Sequence, residues 1–187
     1  MKFIGALMGL LALSGVAIGS TPSAAVAPEP PPTIYTVSLT GYNAVPEQTK
    51  ADPTTTATGG PSNPEVVAAR SRDLADKLPY GTVISMSAPA DEGNSCGFGA
   101  VEDIIGYRVI ADTMNVRISN TVDVMFDTTD SVTLAGGKEV NAARALGMCD
   151  GVTIKVIGFI DLSNPHNLPK TQKELASLMH QTVLATN

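Results

Sequence analysis

The sequence predicts a small, mainly β domain, a barrel or a sandwich. Three observations carry that expectation. Apolar residues fall in many short runs of strand length, the domain holds one convincing internal helical stretch, and the connections are long and rich in glycine, proline and asparagine.

From residue 35 to residue 40 the chain alternates, with Tyr35, Val37 and Leu39 on one face and Thr36, Ser38 and Thr40 on the other, which is the period of a half-buried strand. Residues 43–63 are dominated by Pro, Gly, Thr and Asn and read as one long loop, a length often kept for function inside a compact domain. Residues 65–70 (Glu-Val-Val-Ala-Ala-Arg) form the next strand, followed by a polar turn or short helix to Lys77. Leu78-Pro79-Tyr80-Gly81-Thr82 is a turn in which Gly81 supplies backbone freedom, and residues 82–87 are again a strand. Residues 90–99 are a second irregular segment and carry Cys96. Strands follow at 107–111, 121–126 and 152–160, and between the last two residues 140–146 read as a helix stopped by Gly147. Beyond Leu162, residues 169–184 fit an amphipathic helix with Leu175, Leu178, Met179 and Val183 on one stripe, docked on the domain.

The N-terminal end reads as an export signal over residues 1–27: Met1-Lys2, then an apolar stretch of about 16 residues, then small residues. As a helix that stretch spans roughly 24 Å, short of the ~30 Å hydrocarbon core. An uncleaved anchor is the alternative, and the only expected membrane link. Residues 28–33 form a proline-rich tether, 34–161 the domain and 162–187 a C-terminal extension. The remainder suits one compact domain, expected to be a monomer. With 18 acidic against 12 basic residues and a net charge of −6, the chain lacks the basic footprint of a nucleic-acid binder. Two cysteines in an exported chain, Cys96 and Cys149, are most simply a disulfide. No Cys/His spacing resembles a metal site and no cofactor is expected; His166 and His180 read as surface residues.

Asp112 and Asp123 stand eleven residues apart, each inside an apolar run, where a carboxylate costs free energy unless it is paired or used. If 107–112 and 121–126 form an antiparallel hairpin centred between Arg117 and Ile118, the two lie directly opposite with Cβ atoms ~4.5–5.5 Å apart. Two charges ~5 Å apart repel by roughly 3 kcal/mol at an effective dielectric of ~20, which lifts one Asp from ~3.9 towards ~6 and leaves a general acid near neutrality. The alternative is a pair neutralised by Arg108 or Arg117. In the same hairpin Val122, Val124 and Phe126 point into the core.

Asp112-Thr113 and Val122-Asp123, preceded in order by Thr40-Gly41-Tyr42-Asn43, Thr56-Ala57-Thr58-Gly59, Val66-Val67-Ala68 and Leu78-Pro79-Tyr80-Gly81-Thr82, resemble the motifs of the three-aspartate (3D) domain, which also forms the catalytic part of the membrane-bound lytic transglycosylase A family. The likeness runs from about Thr36 to Ile157, and Met114-Asn115-Val116-Arg117 with Asn120 is similar to a subgroup. The resemblance implies a six-stranded double-psi β-barrel with one internal helix, to which the C-terminal helix is added. It implies a groove for peptidoglycan glycan strands and cleavage of the β-1,4 bond from N-acetylmuramic acid to N-acetylglucosamine, giving 1,6-anhydro ends. Asp123 would be the single acid/base and Asp112 its tuning partner, with Tyr42, Thr56, Thr58, Gly59, Asn115 and Arg117 on the sugar. The family's first aspartate has no match: that point reads Ala69-Arg70-Ser71, with Asp73 and Asp76 nearest. With no tryptophan in the chain, Tyr42, Tyr80 or Phe98 must supply any aromatic face.

Two other functions stay open at this point. One is a non-catalytic glycan-binding module on the same barrel. The other is a cysteine amidase or peptidase using Cys96 and a histidine, which needs a free thiol beside a base.

Overall fold

The computed structural model describes residues 32–49, 52–88 and 96–185, so the expected export signal and most of the proline-rich stretch lie outside the described residues. Strands β1 (Ile34–Asn43), β2 (Val67–Arg70), β3 (Thr82–Ser87), β4 (Arg108–Thr113), β5 (Thr121–Phe126) and β8 (Cys149–Phe159) close into a six-stranded barrel. The order around it is β1-β5-β2-β4-β3-β8, with β8 pairing back onto β1. Two neighbouring pairs, β1/β5 and β2/β4, are parallel and the others antiparallel. Strands β6 (Ser131–Thr133) and β7 (Glu139–Asn141) make a separate two-stranded sheet.

Side-chain alternation divides the barrel into two apolar layers. Val37, Leu39, Ala68, Ile110, Val122, Val124 and Phe126 belong to one cluster, as the alternation of the first and fifth strands predicts. Helices α1 (Phe98–Ile105) and α2 (Ala142–Leu146) pack on that cluster through Phe98, Val101, Ile105 and Leu146. The intervening residues Tyr42, Val67, Ala69, Val109 and Met125 face the opposite way and form the second cluster. The C-terminal extension covers part of that outer layer with Leu162, Leu168, Leu175 and Met179. Burying each of Leu175 and Met179, which are 0% and 6% exposed, contributes about 1.5–3 kcal/mol to holding helix α3 (Gln172–Ala185) in place. Gln172 fixes its start: its side chain donates to the carbonyls of Glu65 and Tyr107 and accepts from the Tyr107 N–H at 3.0 Å. Of the expected stripe, Leu178 is partly exposed, and the Val183 side chain lies outside the description.

Several local expectations need correction. Helix α1 occupies part of what reads as an irregular segment, so the described residues of the domain include two internal α-helices. The helix over 140–146 begins at Ala142, because Val140 and Asn141 belong to β7. The Asn141 side chain caps its N-terminus by accepting from the N–H groups of Ala143 and Arg144, and Gly147 at φ +62° ends it. Glu139 is therefore an exposed strand residue, bonded to Ser131, and lies outside the helix. Gly81 has φ +93°, and a Cβ there would stand 2.0 Å from the Ile160 carbonyl oxygen, so the turn requires glycine. Cys96 and Cys149 form the expected disulfide, tying the entry of α1 to the start of β8. His166 and His180 are exposed.

Candidate active-site cleft

The hairpin that would set Asp112 directly opposite Asp123 does not form. Strand β2 lies between β4 and β5, and Ala69 is the register partner of both aspartates, parallel to Asp112 and antiparallel to Asp123. The two Cα atoms are thus two strand spacings apart, roughly 10 Å. Doubling the separation halves their repulsion, to roughly 1.7 kcal/mol at an effective dielectric of ~20. Ala69 suits this position because a methyl group leaves open the space between the two acids.

A β-bulge brings the acids onto one face. Along β2/β4 the register runs Val67↔Val109, Ala68↔Ile110, then Ala69↔Asp112, leaving Ala111 as the extra residue. Without that insertion, strict alternation would send Asp112 inward with Ile110. With it, Asp112 emerges beside Ala69 on the outer face, where Tyr42, Asp123 and Met125 also stand. The Ala111 carbonyl accepts from the Thr58 N–H at 3.3 Å.

These residues floor a cleft of about 720 Å³. One wall is the β1–β2 connection, with Gln48, Thr49, Asp52, Thr55 and Thr56 lining it, so the long loop serves the site as its length suggested. Asp52 stiffens this wall by accepting from the Thr54 N–H and from the hydroxyls of Thr54 and Thr55. The opposite wall is the β4–β5 connection, with Met114, Asn115, Val116 and Ile118.

The two carboxylates are held differently. Asp112 accepts three hydrogen bonds, from the Ala57 N–H at 3.0 Å, its neighbour Thr113 N–H at 2.8 Å and the Tyr42 hydroxyl at 3.2 Å, and so ties one wall to the floor. Asp123 accepts from the Thr40 hydroxyl at 2.7 Å, the residue paired with it across β1/β5. Burial pushes the Asp123 carboxyl up to about 6, Asp112 adds to the rise, and the Thr40 hydrogen bond opposes it. The value agrees with the one expected from sequence, but its main cause is desolvation and the neighbouring charge comes second. Tyr42 is pushed well above the usual phenol range by burial and by both carboxylates, and so remains a hydrogen-bond donor.

Neither arginine proposed as a neutraliser occupies the site. Arg108 is buried and spends its guanidinium on the carbonyls of Ile104 and Ile105, at the end of α1, and on those of Pro64 and Met125. Burial lowers it to about 10, which leaves it charged at neutrality. Arg117 and Gly59 are exposed and outside the lining; Thr58, half-buried, is outside it too, although its hydroxyl stands 3.0 Å from that of Thr56. Of the candidate aromatics only Tyr42 lines the cleft; Tyr80 stacks under Arg70 at 4.8 Å, and Phe98 lies in the core. At the place of the first family aspartate, Arg70 is buried, its Nε donating to the Leu78 carbonyl at 2.8 Å. Asp73 is engaged with the Asn120 N–H at 2.9 Å and is not part of the lining. Sequence reasoning missed Thr40 as the partner of Asp123; its place on the polar face of an alternating strand was the available signal. It also missed the polar wall at Gln48, Thr49, Asp52 and Thr55. Among the described residues no acidic, histidine or cysteine group is arranged to hold a metal ion, and no helix is long and apolar enough to cross a membrane. The disulfide leaves Cys96 without the free thiol that a cysteine amidase requires. Compared with known proteins, the chain matches no protein-family model and no curated protein.

Proposed function

We propose that this chain is an exported peptidoglycan-cleaving enzyme of the lytic transglycosylase type, built on a double-psi barrel of the 3D-domain kind. The observation that carries the reading is Asp123 itself: a carboxyl group on the floor of an open cleft, bonded to one hydroxyl and kept protonated by burial up to about pH 6. Such a group can donate a proton near neutrality. A glycan strand lies along the cleft with its scissile oxygen over Asp123. Asp123 gives its proton to that oxygen as the C1–O bond breaks. The resulting carboxylate then takes the proton of the muramic C6 hydroxyl while O6 bonds to C1, so the 1,6-anhydro product forms without water. One acid suffices, unlike the two-carboxylate arrangement of most glycosidases. Asp112 holds the wall at Ala57 and keeps the floor polar.

The closed six-stranded barrel with its two parallel pairs supports the double-psi assignment. A disulfide suits an oxidising compartment such as the periplasm or the cell surface. The chain acts as a monomer on glycan strands. Asp123→Asn tests the reading: purified cell walls release anhydro-muropeptides with the native protein and none with the variant. Equal release from both sinks it.

A second reading, a glycan-binding module without turnover, draws on a specific observation. The place of the first family aspartate is taken by Arg70, buried and bonded away from the cleft, and Tyr42 is the sole aromatic in the lining among the described residues. Sedimentation with insoluble peptidoglycan, run beside the release assay, separates the two: retention without soluble product identifies the module.

A further inference from the structure

We infer that Arg72 makes the cleft selective for glycan carrying a free carboxylate on the arm attached at O3 of the muramic acid. The inference rests on the cleft being a peptidoglycan glycan site, as either reading above has it, and does not require turnover.

Charge in the lining is lopsided. Among the described residues, Asp52, Asp112 and Asp123 are its acids and Arg72 is its cation. The acids are already engaged: Asp52 by Thr54 and Thr55, Asp112 by two N–H groups and a phenol, Asp123 by Thr40. The Arg72 side chain is exposed and has no hydrogen bond or ion pair among the described residues. Its acidic neighbour Asp73 is turned to the Asn120 N–H and the Ser71 hydroxyl. A guanidinium in a cleft is built for bidentate contact with a carboxylate.

Placement fixes which part of a glycan it reaches. Ala69 is paired with Asp123, and Arg72 follows three residues later, so its Cα lies at most about 11 Å from that of Ala69. A sugar seated with its glycosidic oxygen on Asp123 therefore has substituents within reach of the guanidinium. Of the two alternating sugars of a peptidoglycan strand, only N-acetylmuramic acid carries an acid: the lactyl group at O3. That acid is free where the peptide is absent. Where a peptide is attached, the next available carboxylate is that of its second residue, glutamate, unless amidated. The shared chemistry is a carboxylate on the O3 arm. The apolar residues Val116 and Ile118, 68% and 40% exposed, also line the cleft and suit the methyl groups of the lactyl and alanyl units.

Calorimetric titration of the full mature chain carrying Asp123→Asn, which removes turnover, tests this at low ionic strength. The probes are four muramic-containing tetrasaccharides: a free lactyl carboxylate, its methyl amide, an L-alanyl-D-glutamate arm with the γ-carboxyl blocked as a methyl amide, and the same arm with both glutamyl carboxyls amidated. The inference expects one or both carboxylate forms to bind on the order of tenfold tighter than the matched amide, and which of the two does so identifies the source. Adding Arg72→Gln abolishes the difference, Arg72→Lys retains part of it, and salt weakens it. Equal affinity for charged and amidated ligands, discrimination that survives Arg72→Gln, or no binding of any probe overturns it. If native protein fails to release anhydro products while the discrimination persists, the turnover reading falls and this one stands. Release without discrimination gives the reverse.

Discussion

Asp123→Asn removes the proposed acid and, by the same physics, makes the fold more stable at neutral pH. The ordinary aspartate value is 3.8, and in the folded chain burial, aided by Asp112, raises Asp123 to about 6. A carboxyl with a raised folded pKa binds its proton more tightly in the native than in the unfolded state. Between pH 3.8 and 6 the native state therefore holds more protons, and stability falls as pH rises through that window. Above pH 6 the penalty is complete. The gap of about two pKa units, at ~1.4 kcal/mol per unit, amounts to about 3 kcal/mol. Asparagine carries no charge to desolvate, and its amide oxygen can still accept from Thr40, so the variant avoids that penalty. The expected result at pH 7.5 is a gain of up to about 3 kcal/mol, or about 6–12 °C in Tm for a domain of this size. At pH 3.5, where Asp123 is mostly protonated in both states, the gap between the two proteins shrinks to roughly a few tenths of a kcal/mol. Urea unfolding of both proteins at the two pH values measures the difference of differences. A variant less stable at pH 7.5, or a gap that does not change with pH, refutes the claim that desolvation governs Asp123.

Other consequences follow from the same contacts. In the release assay kcat/KM falls as pH rises through about 6, because the acid must be protonated. Asp112→Asn moves that limb to lower pH, since Asp112 adds to the rise, whereas Thr40→Val moves it to higher pH by removing the hydrogen bond that opposes it. Opposite shifts in the two pH profiles are the check; parallel shifts contradict the assignment of causes. Replacing both cysteines by serine opens a loop spanning 53 residues and costs about 4 kcal/mol on the chain-entropy scale, read as a lowered urea midpoint.

What the sequence made legible was whatever depends on neighbours along the chain. Alternation placed Tyr35, Val37 and Leu39 on one face, and Val122, Val124 and Phe126 in the core. Gly81 and Gly147 marked a turn and a helix stop whose positive φ angles only glycine adopts cheaply. Helix α1 escaped notice because it starts at Gly97-Phe98-Gly99, poor helix formers, and is held by packing of Phe98, Val101 and Ile105 and by Arg108 on its final carbonyls. The order of strands was not legible, since which strand lies beside which is decided by contacts between residues far apart in the chain. A four-residue strand, Val67–Arg70, inserts between two strands that look like a hairpin. Its small Ala68 and Ala69 are the one local hint, because they fit a strand crowded on both sides.

That insertion also reassigns the roles of the two acids. In a hairpin, Asp112 would be the chief cause of the proton held on Asp123, and the pair would be a single titrating unit. Separated by Ala69, Asp112 is instead a three-bond anchor for the loop at Ala57, and Asp123 depends mainly on its own burial. The eleven-residue spacing then has a structural origin beyond charge pairing. It is the length needed to leave β4 after the bulge at Ala111, build the wall that carries Asn115, Val116 and Ile118, and return through Asn120 at φ +46° into β5. Asp112 closes one wall of the cleft and the spacing builds the other, which leaves Asp123 on the floor as the proposed proton carrier.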